Sequence, residues 1–163
     1  MRRFLGLSDE AAEGGGNVTA AADEIVEGVG RLPPRPAGRA PWQSTQTGIT
    51  TSNARRLRNN LGSEIADNEQ AHHIVASTHG RAQPARELLD HFEIDINGAA
   101  KGVGLPRPVH EGTGLHTHTG IDLVTRRLRQ AIRGIDDWNR ARGALVEELQ
   151  RMGNQIKTGL FEP

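Results

Sequence analysis

The sequence predicts an α+β fold, with short extended pieces and several helices behind a loose N-terminal arm. Three observations lead there. The apolar runs Ala71–Ala76, Ile94–Ile96 and Gly102–Pro106 are too short for helices. The last third of the chain carries two long apolar stripes at helical spacing. The first part holds Gly14-Gly15-Gly16 and a proline-rich run from Leu32 to Pro41, both of which break regular structure.

Element by element, Ala20 to Val29 can form a short acidic helix with Asp23, Glu24 and Glu27. Leu32 to Pro41 behaves as an extended linker. Residues 1–52 are therefore expected to be a linker or extended arm, and residues 53–163 the folded unit. Asn53 caps a short helix that runs to Leu61 and is ended by Gly62. Ala71–Ala76 reads as a strand. Pro84 to Phe92 suits a helix with Leu88, Leu89 and Phe92 buried. Ile94 and Ile96 around Asp95 alternate like a second short strand, and Gly102–Pro106 is a further extended piece stopped by proline. Thr119-Gly120-Ile121-Asp122 has capping-box spacing and opens a helix with the stripe Ile121, Val124, Leu128 and Ile132. Asp136 and Asp137 open the last helix, where Trp138, Ala141, Leu145, Leu149 and Met152 share a face.

Composition narrows the chemistry. The 163 residues suffice for one domain, with 20 glycines, two Trp, three Phe and no Tyr. Without cysteine, any transition metal must be held by histidine and carboxylate. A formal charge of zero argues against a large non-specific grip on nucleic acid, so phosphate contacts must come from a local basic surface. Arg107, Arg126, Arg129 and Arg133 offer such a surface, the last three at helical spacing; a solvated helix face is the plainer reading. No apolar run reaches bilayer length, so no membrane insertion is expected. Asp9 and Glu10 interrupt the basic start too early for a cleaved secretory signal.

Histidine is where the chemistry concentrates. Of seven, His79 and His91 carry no motif and read as ordinary surface or core residues. His72 and His73 are adjacent in an apolar run. A strand sends neighbours to opposite faces, so the two imidazoles suit divided labour, one coordinating a metal and the other acting as a base. That combination fits phosphodiester hydrolysis.

The surrounding words carry a resemblance. Ala71-His72-His73-Ile74-Val75-Ala76, Leu88-Leu89, Ile94-Asp95-Ile96-Asn97, Gly102-Val103-Gly104-Leu105-Pro106, His110-Glu111-Gly112 and His116-Thr117 occur in this order, after Arg55-Arg56-Leu57-Arg58-Asn59-Asn60-Leu61. Over about residues 54 to 130 the chain closely resembles the AHH family of the HNH and endonuclease VII superfamily, whose members are predicted nuclease toxins of bacterial polymorphic toxin systems. The resemblance implies a ββα-metal core, with His72 a metal ligand and His73 the general base. It implies further ligands from His110 and His116; His118, without a clear counterpart in the family, is a candidate substitute or supporting ligand. One divalent ion is implied: Zn²⁺ if three imidazoles bind it, Mn²⁺ or Mg²⁺ if water and carboxylate complete the shell.

One position departs from the family. Lys101 stands where the family usually has Asn, which in the superfamily ties the loop between the strands and helps orient the base. Lysine accepts no hydrogen bond but can reach a phosphate as a point charge. Asn97 is a candidate for the tying role, though Asn97-Gly98 also suits a simple turn. The resulting expectation is an endonuclease toxin cutting nucleic acid, DNA ahead of RNA, in the cytoplasm of a competing bacterium. It would be a secreted effector without a cleaved signal peptide, blocked in the producing cell by a cognate immunity protein. The alternative is a catalytically inactive binding module that keeps the fold around a structural metal.

Overall fold

A computed structural model describes residues 31–39, 50–106, 108–109 and 114–163. The expected acidic helix at Ala20–Val29 and the residues Arg107 and His110 lie outside them. The elements are helix α1 (Thr50–Leu61), strand β1 (Glu69–His73), helix α2 (Gln83–His91), strand β2 (Gly102–Pro106), helix α3 (His118–Ala131) and helix α4 (Trp138–Lys157). Three single 3₁₀ turns punctuate them, at Gly62–Glu64, Gly80–Ala82 and Ala99–Lys101. The class is α+β, as the sequence predicts, and is consistent with a ββα nuclease fold.

β1 and β2 pair antiparallel, with Ala71 opposite Gly104, His72 opposite Val103 and His73 opposite Gly102. α1 packs on one face of this hairpin and buries Leu57, Leu61 and Ile65 there. Gly102 is required by that contact, because a Cβ would run into the Leu57 side chain. The opposite face contributes Val103 and Leu105 to the main core, which gathers Leu88, Leu89 and Phe92 of α2 or its end with the stripes of α3 and α4. The α3 stripe buries Ile121, Val124 and Leu128, and the α4 stripe Trp138, Ala141, Leu145, Leu149 and Met152. Periodicity alone predicts both, since burying one apolar face is what holds a helix to a domain.

Four expectations need correction. Asn53 lies buried inside α1, which already begins at Thr50, and is not its cap. Ile94–Ile96 is no strand. Both isoleucines are buried, but Asp95 Oδ1 accepts from Asn97 N at 2.9 Å and Asp95 O from Gly98 N at 3.0 Å. The backbone is thus satisfied within a turn and needs no strand partner. β1 ends at His73, not Ala76, because the chain opposite it turns into the Ala99–Lys101 3₁₀ turn; Ile74 N donating to Lys101 O at 3.0 Å is the last rung. The cap of α3 is Thr117, whose Oγ1 accepts from Gly120 N at 3.1 Å, and not Thr119. Asp122, freed from a capping box, pairs with Arg81 at 2.9 Å.

Residues 31–39 lie against the folded body. His91 Nε2 donates to Pro33 O at 2.9 Å, Arg35 and Arg39 both pair with Glu93, and the Arg39 guanidinium lies 4.6 Å from the Trp138 ring centre. No helix among the described residues is long and apolar enough to cross a membrane.

Candidate active site

Alternation along β1 separates the two adjacent histidines. His72 and His73 are both buried, yet they meet different partners. The His72 ring faces that of His116, with centroids 4.6 Å apart and planes tilted by 47°. His73 Nε2 lies 3.1 Å from Asn97 Oδ1. A carbonyl oxygen only accepts, so His73 carries its hydrogen on Nε2 and leaves Nδ1 as the basic nitrogen. Burial holds the His73 imidazole below its ordinary value of 6.5, against the Asn97 hydrogen bond and the charge of Asp95, which both raise it. A neutral imidazole at pH 7 is the form a general base needs.

Asn97 is fixed from three sides. It is 1 % exposed, its N–H bonds Asp95 Oδ1, and its carbonyl accepts from Asn60 Nδ2 of α1 at 2.7 Å. Of Asn97 and Lys101, the two candidates for tying the loop, the structure brings Asn97 to His73. Lys101 is half-buried and its ammonium runs back over Gly98; burial lowers its pKa, opposed by the Asp95 charge. Replacing Asn97 by alanine should cost cleavage about tenfold to a hundredfold, since the His73 ring loses its orientation. Asparagine-to-aspartate is the sharper variant: it keeps an acceptor for Nε2–H but adds charge, so the acid limb of the pH–rate profile should move up. An unmoved limb would separate Asn97 from the base.

His116 is delivered by a tight approach to α3. Thr117 Oγ1 donates to Gly114 O at 2.6 Å, Thr117 N to the same oxygen at 3.0 Å, and the Gly114 carbonyl sits flush on Gly120. Any side chain at position 120 would strike that carbonyl and push the loop away. His118 begins the helix, exposed, with its ring 5.7 Å from that of His79.

These side chains share a cleft of about 440 Å³ lined by His72, His73, His79 and His116, with Ser77 and Thr78 beside them. Two imidazoles at 4.6 Å fit a single ion: with nitrogens about 2.1 Å from a metal, ring centres on neighbouring ligand positions fall about 5 Å apart. Among the described residues, no three histidines or carboxylates converge as a ready ligand group.

The arginines lie farther along α3. Arg126 is eight residues past His118, about 12 Å down the axis, and Arg133 follows the helix end. Arg126 and Arg133 are exposed and Arg129 half-buried. Arg127, next to Arg126 in the chain, is occupied instead: its Nε pairs with buried Glu148 at 2.6 Å and its Nη1 with Gln155 at 2.5 Å. His79 is the site residue that sequence reasoning missed. It stands in no strand or helix stripe, and only the folding of the 77–79 loop onto the cleft reveals it.

No curated protein and no solved structure matches the chain. A family model does, over residues 53–156, that of AHH, described as a nuclease family of the HNH/ENDO VII superfamily with conserved AHH. Nucleases of this superfamily are generally metal-dependent. The conserved word is Ala71-His72-His73, the end of β1 whose residues line the cleft. The chain belongs to the AHH family of nucleases.

Proposed function

We propose that the chain is a metal-dependent endonuclease that hydrolyses phosphodiester bonds with His73 as general base. The observation that carries this is the split between the neighbouring histidines: His72 against His116, and His73 held by Asn97 with Nδ1 left basic. His72 and His116 would hold one divalent ion, with His110 as a further ligand and His118 able to substitute. Zn²⁺ suits a shell of three imidazoles, and Mn²⁺ or Mg²⁺ one completed by water. The ion, when bound, offsets negative charge on the phosphoryl and leaving oxygens. His73 takes a proton from the attacking water at Nδ1, and Asn97 keeps the ring turned for it.

Arg107, Arg126, Arg129 and Arg133 position the nucleic acid by its phosphates, while Lys101 adds a point charge near the loop. Duplex DNA is the preferred substrate. Among the described residues Phe92 and Trp138 are core, so no Phe or Trp lines the cleft as a stacking platform for unpaired bases. Cleavage of plasmid DNA and total RNA with Mg²⁺, Mn²⁺ or Zn²⁺ tests the reading and ranks substrate and metal. Silence on every combination would favour an inactive module of the same fold.

The biological role we assign is that of a polymorphic toxin. It is a secreted effector that acts in the cytoplasm of a competing bacterium. A cognate immunity protein blocks its site in the producer. Growth arrest on expression, relieved by His73→Ala, is the expected result; equal toxicity of the variant would break the link. Residues 1–52 serve as a linker or arm and residues 53–163 as the nuclease domain. Deleting residues 1–50 should therefore preserve cleavage. It should also lower stability by about 2 kcal/mol, several degrees in Tm, as the contacts of Pro33, Arg35 and Arg39 are lost. Loss of cleavage at a temperature where the truncated protein is folded would refute the boundary.

A further inference from the structure

The loop after β1 is built more rigidly than an exposed loop needs to be. Arg86 of α2 donates through Nη1 to Ala76 O at 3.0 Å and to His79 O at 2.8 Å. Ala82 N also bonds His79 O at 3.0 Å, and Arg81 N donates to His79 Nδ1 at 3.2 Å. Arg81 in turn pairs with Asp122 of α3 at 2.9 Å, tying this turn to the helix that begins at His118. The result is an exposed imidazole on the wall of the cleft, with its backbone staked and one ring nitrogen engaged.

That engagement decides the chemistry of the other nitrogen. Because Nδ1 accepts the Arg81 N–H, the ring hydrogen sits on Nε2, and His79 presents one oriented donor. The His118 ring meets it edge-on, at 5.7 Å and 68°, and limits its rotation. A donor fixed before the substrate arrives loses little entropy on binding, which is what makes a phosphate contact effective.

We propose that His79 is a further substrate-binding residue, whose Nε2–H hydrogen-bonds a non-bridging phosphate oxygen next to the scissile bond, with His118 as the positioning residue for its ring. The proposal rests on the nuclease reading of the cleft. On this reading His118 serves the substrate side, beside His79, in place of the substitute-ligand role, while His72 and His116 face each other on the metal side.

The test compares His79→Ala, His79→Gln and His118→Ala in the full chain. With the nucleic acid that the wild type cuts, His79→Ala should raise KM about tenfold and leave kcat within about twofold, the loss of one hydrogen bond to a charged group. His79→Gln, whose amide nitrogen reaches a similar place, should recover most of the loss, and His118→Ala should raise KM only a few-fold. The affinity for a fluorescein-labelled DNA duplex, measured by anisotropy in a His73→Ala background, should weaken by the same factors. Unchanged KM and affinity in His79→Ala would overturn the proposal, as would a glutamine variant as impaired as alanine. If the wild type cuts nothing but His79→Ala still weakens duplex binding, the phosphate contact stands and the hydrolytic reading falls. If cleavage depends on His73 but not on His79, only the present proposal falls.

Discussion

Substituting His73 with alanine is expected to leave a folded protein that still binds its metal and cuts nucleic acid about a thousandfold more slowly, within the range a positioned general base contributes. His73 is set apart from His72 by the strand itself, since its ring meets Asn97 while the ring of His72 meets His116. Cleavage and metal stoichiometry measured on one preparation separate the two roles. Near-normal cleavage would remove His73 as the base. The pH profile carries a second signature. Burial lowers the His73 pKa below 6.5, so the neutral, proton-accepting form persists to more acidic pH than in a free imidazole. The acid limb of kcat/KM should accordingly have its midpoint below 6.5 in the wild type. The same shift bears on folding. Between the lowered folded pKa and the ordinary unfolded value, the unfolded chain binds more protons, so acidification through that window destabilises the protein.

Loss of His72 should act on a different observable. His72→Ala is expected to weaken divalent-metal affinity about a hundredfold or more by isothermal titration, with cleavage falling in proportion until metal is added in excess. Partial rescue by excess metal is what distinguishes a lost ligand from a lost base, because no metal concentration restores a missing proton acceptor. His72 is almost wholly buried, so alanine also leaves a void, and His72→Asn controls for packing. Unchanged metal affinity in both variants would transfer the ion to other residues.

The N-terminal arm adds a contrast in scale. Pro33, Arg35 and Arg39 bind the body through His91, Glu93 and Trp138, none of which lines the histidine cleft. Their loss is expected to move a melting temperature rather than a rate. Glu93, which receives both arginines, sits at a φ of 52°, a left-handed position that closes the end of α2.

Much of this protein follows from sequence alone. Stripes such as Ile121-Val124-Leu128 and Trp138-Ala141-Leu145-Leu149 announce α3 and α4, because a helix must bury one face wherever it docks. The Ala71-His72-His73 word, with Gly102–Pro106 later, marks the hairpin, and strand alternation already divides the labour of the two histidines. What local patterns could not decide are matters of long-range contact. Ile94–Ile96 alternates like a strand but closes as a turn on the Asp95 carboxylate, because the short-range bonds satisfy its backbone first. Thr117 and Thr119 are both chemically fit to cap α3, and the close approach of Gly114 to Gly120 selects Thr117. Only tertiary structure decides that Asn97, twenty-four residues away, reaches His73, that His116 meets His72, and that His79 turns onto the same cleft. Sequence determines which groups can do chemistry and which faces must be buried. The folding of loops around the hairpin, cooperative and set by contacts far apart in the chain, decides which of those groups meet.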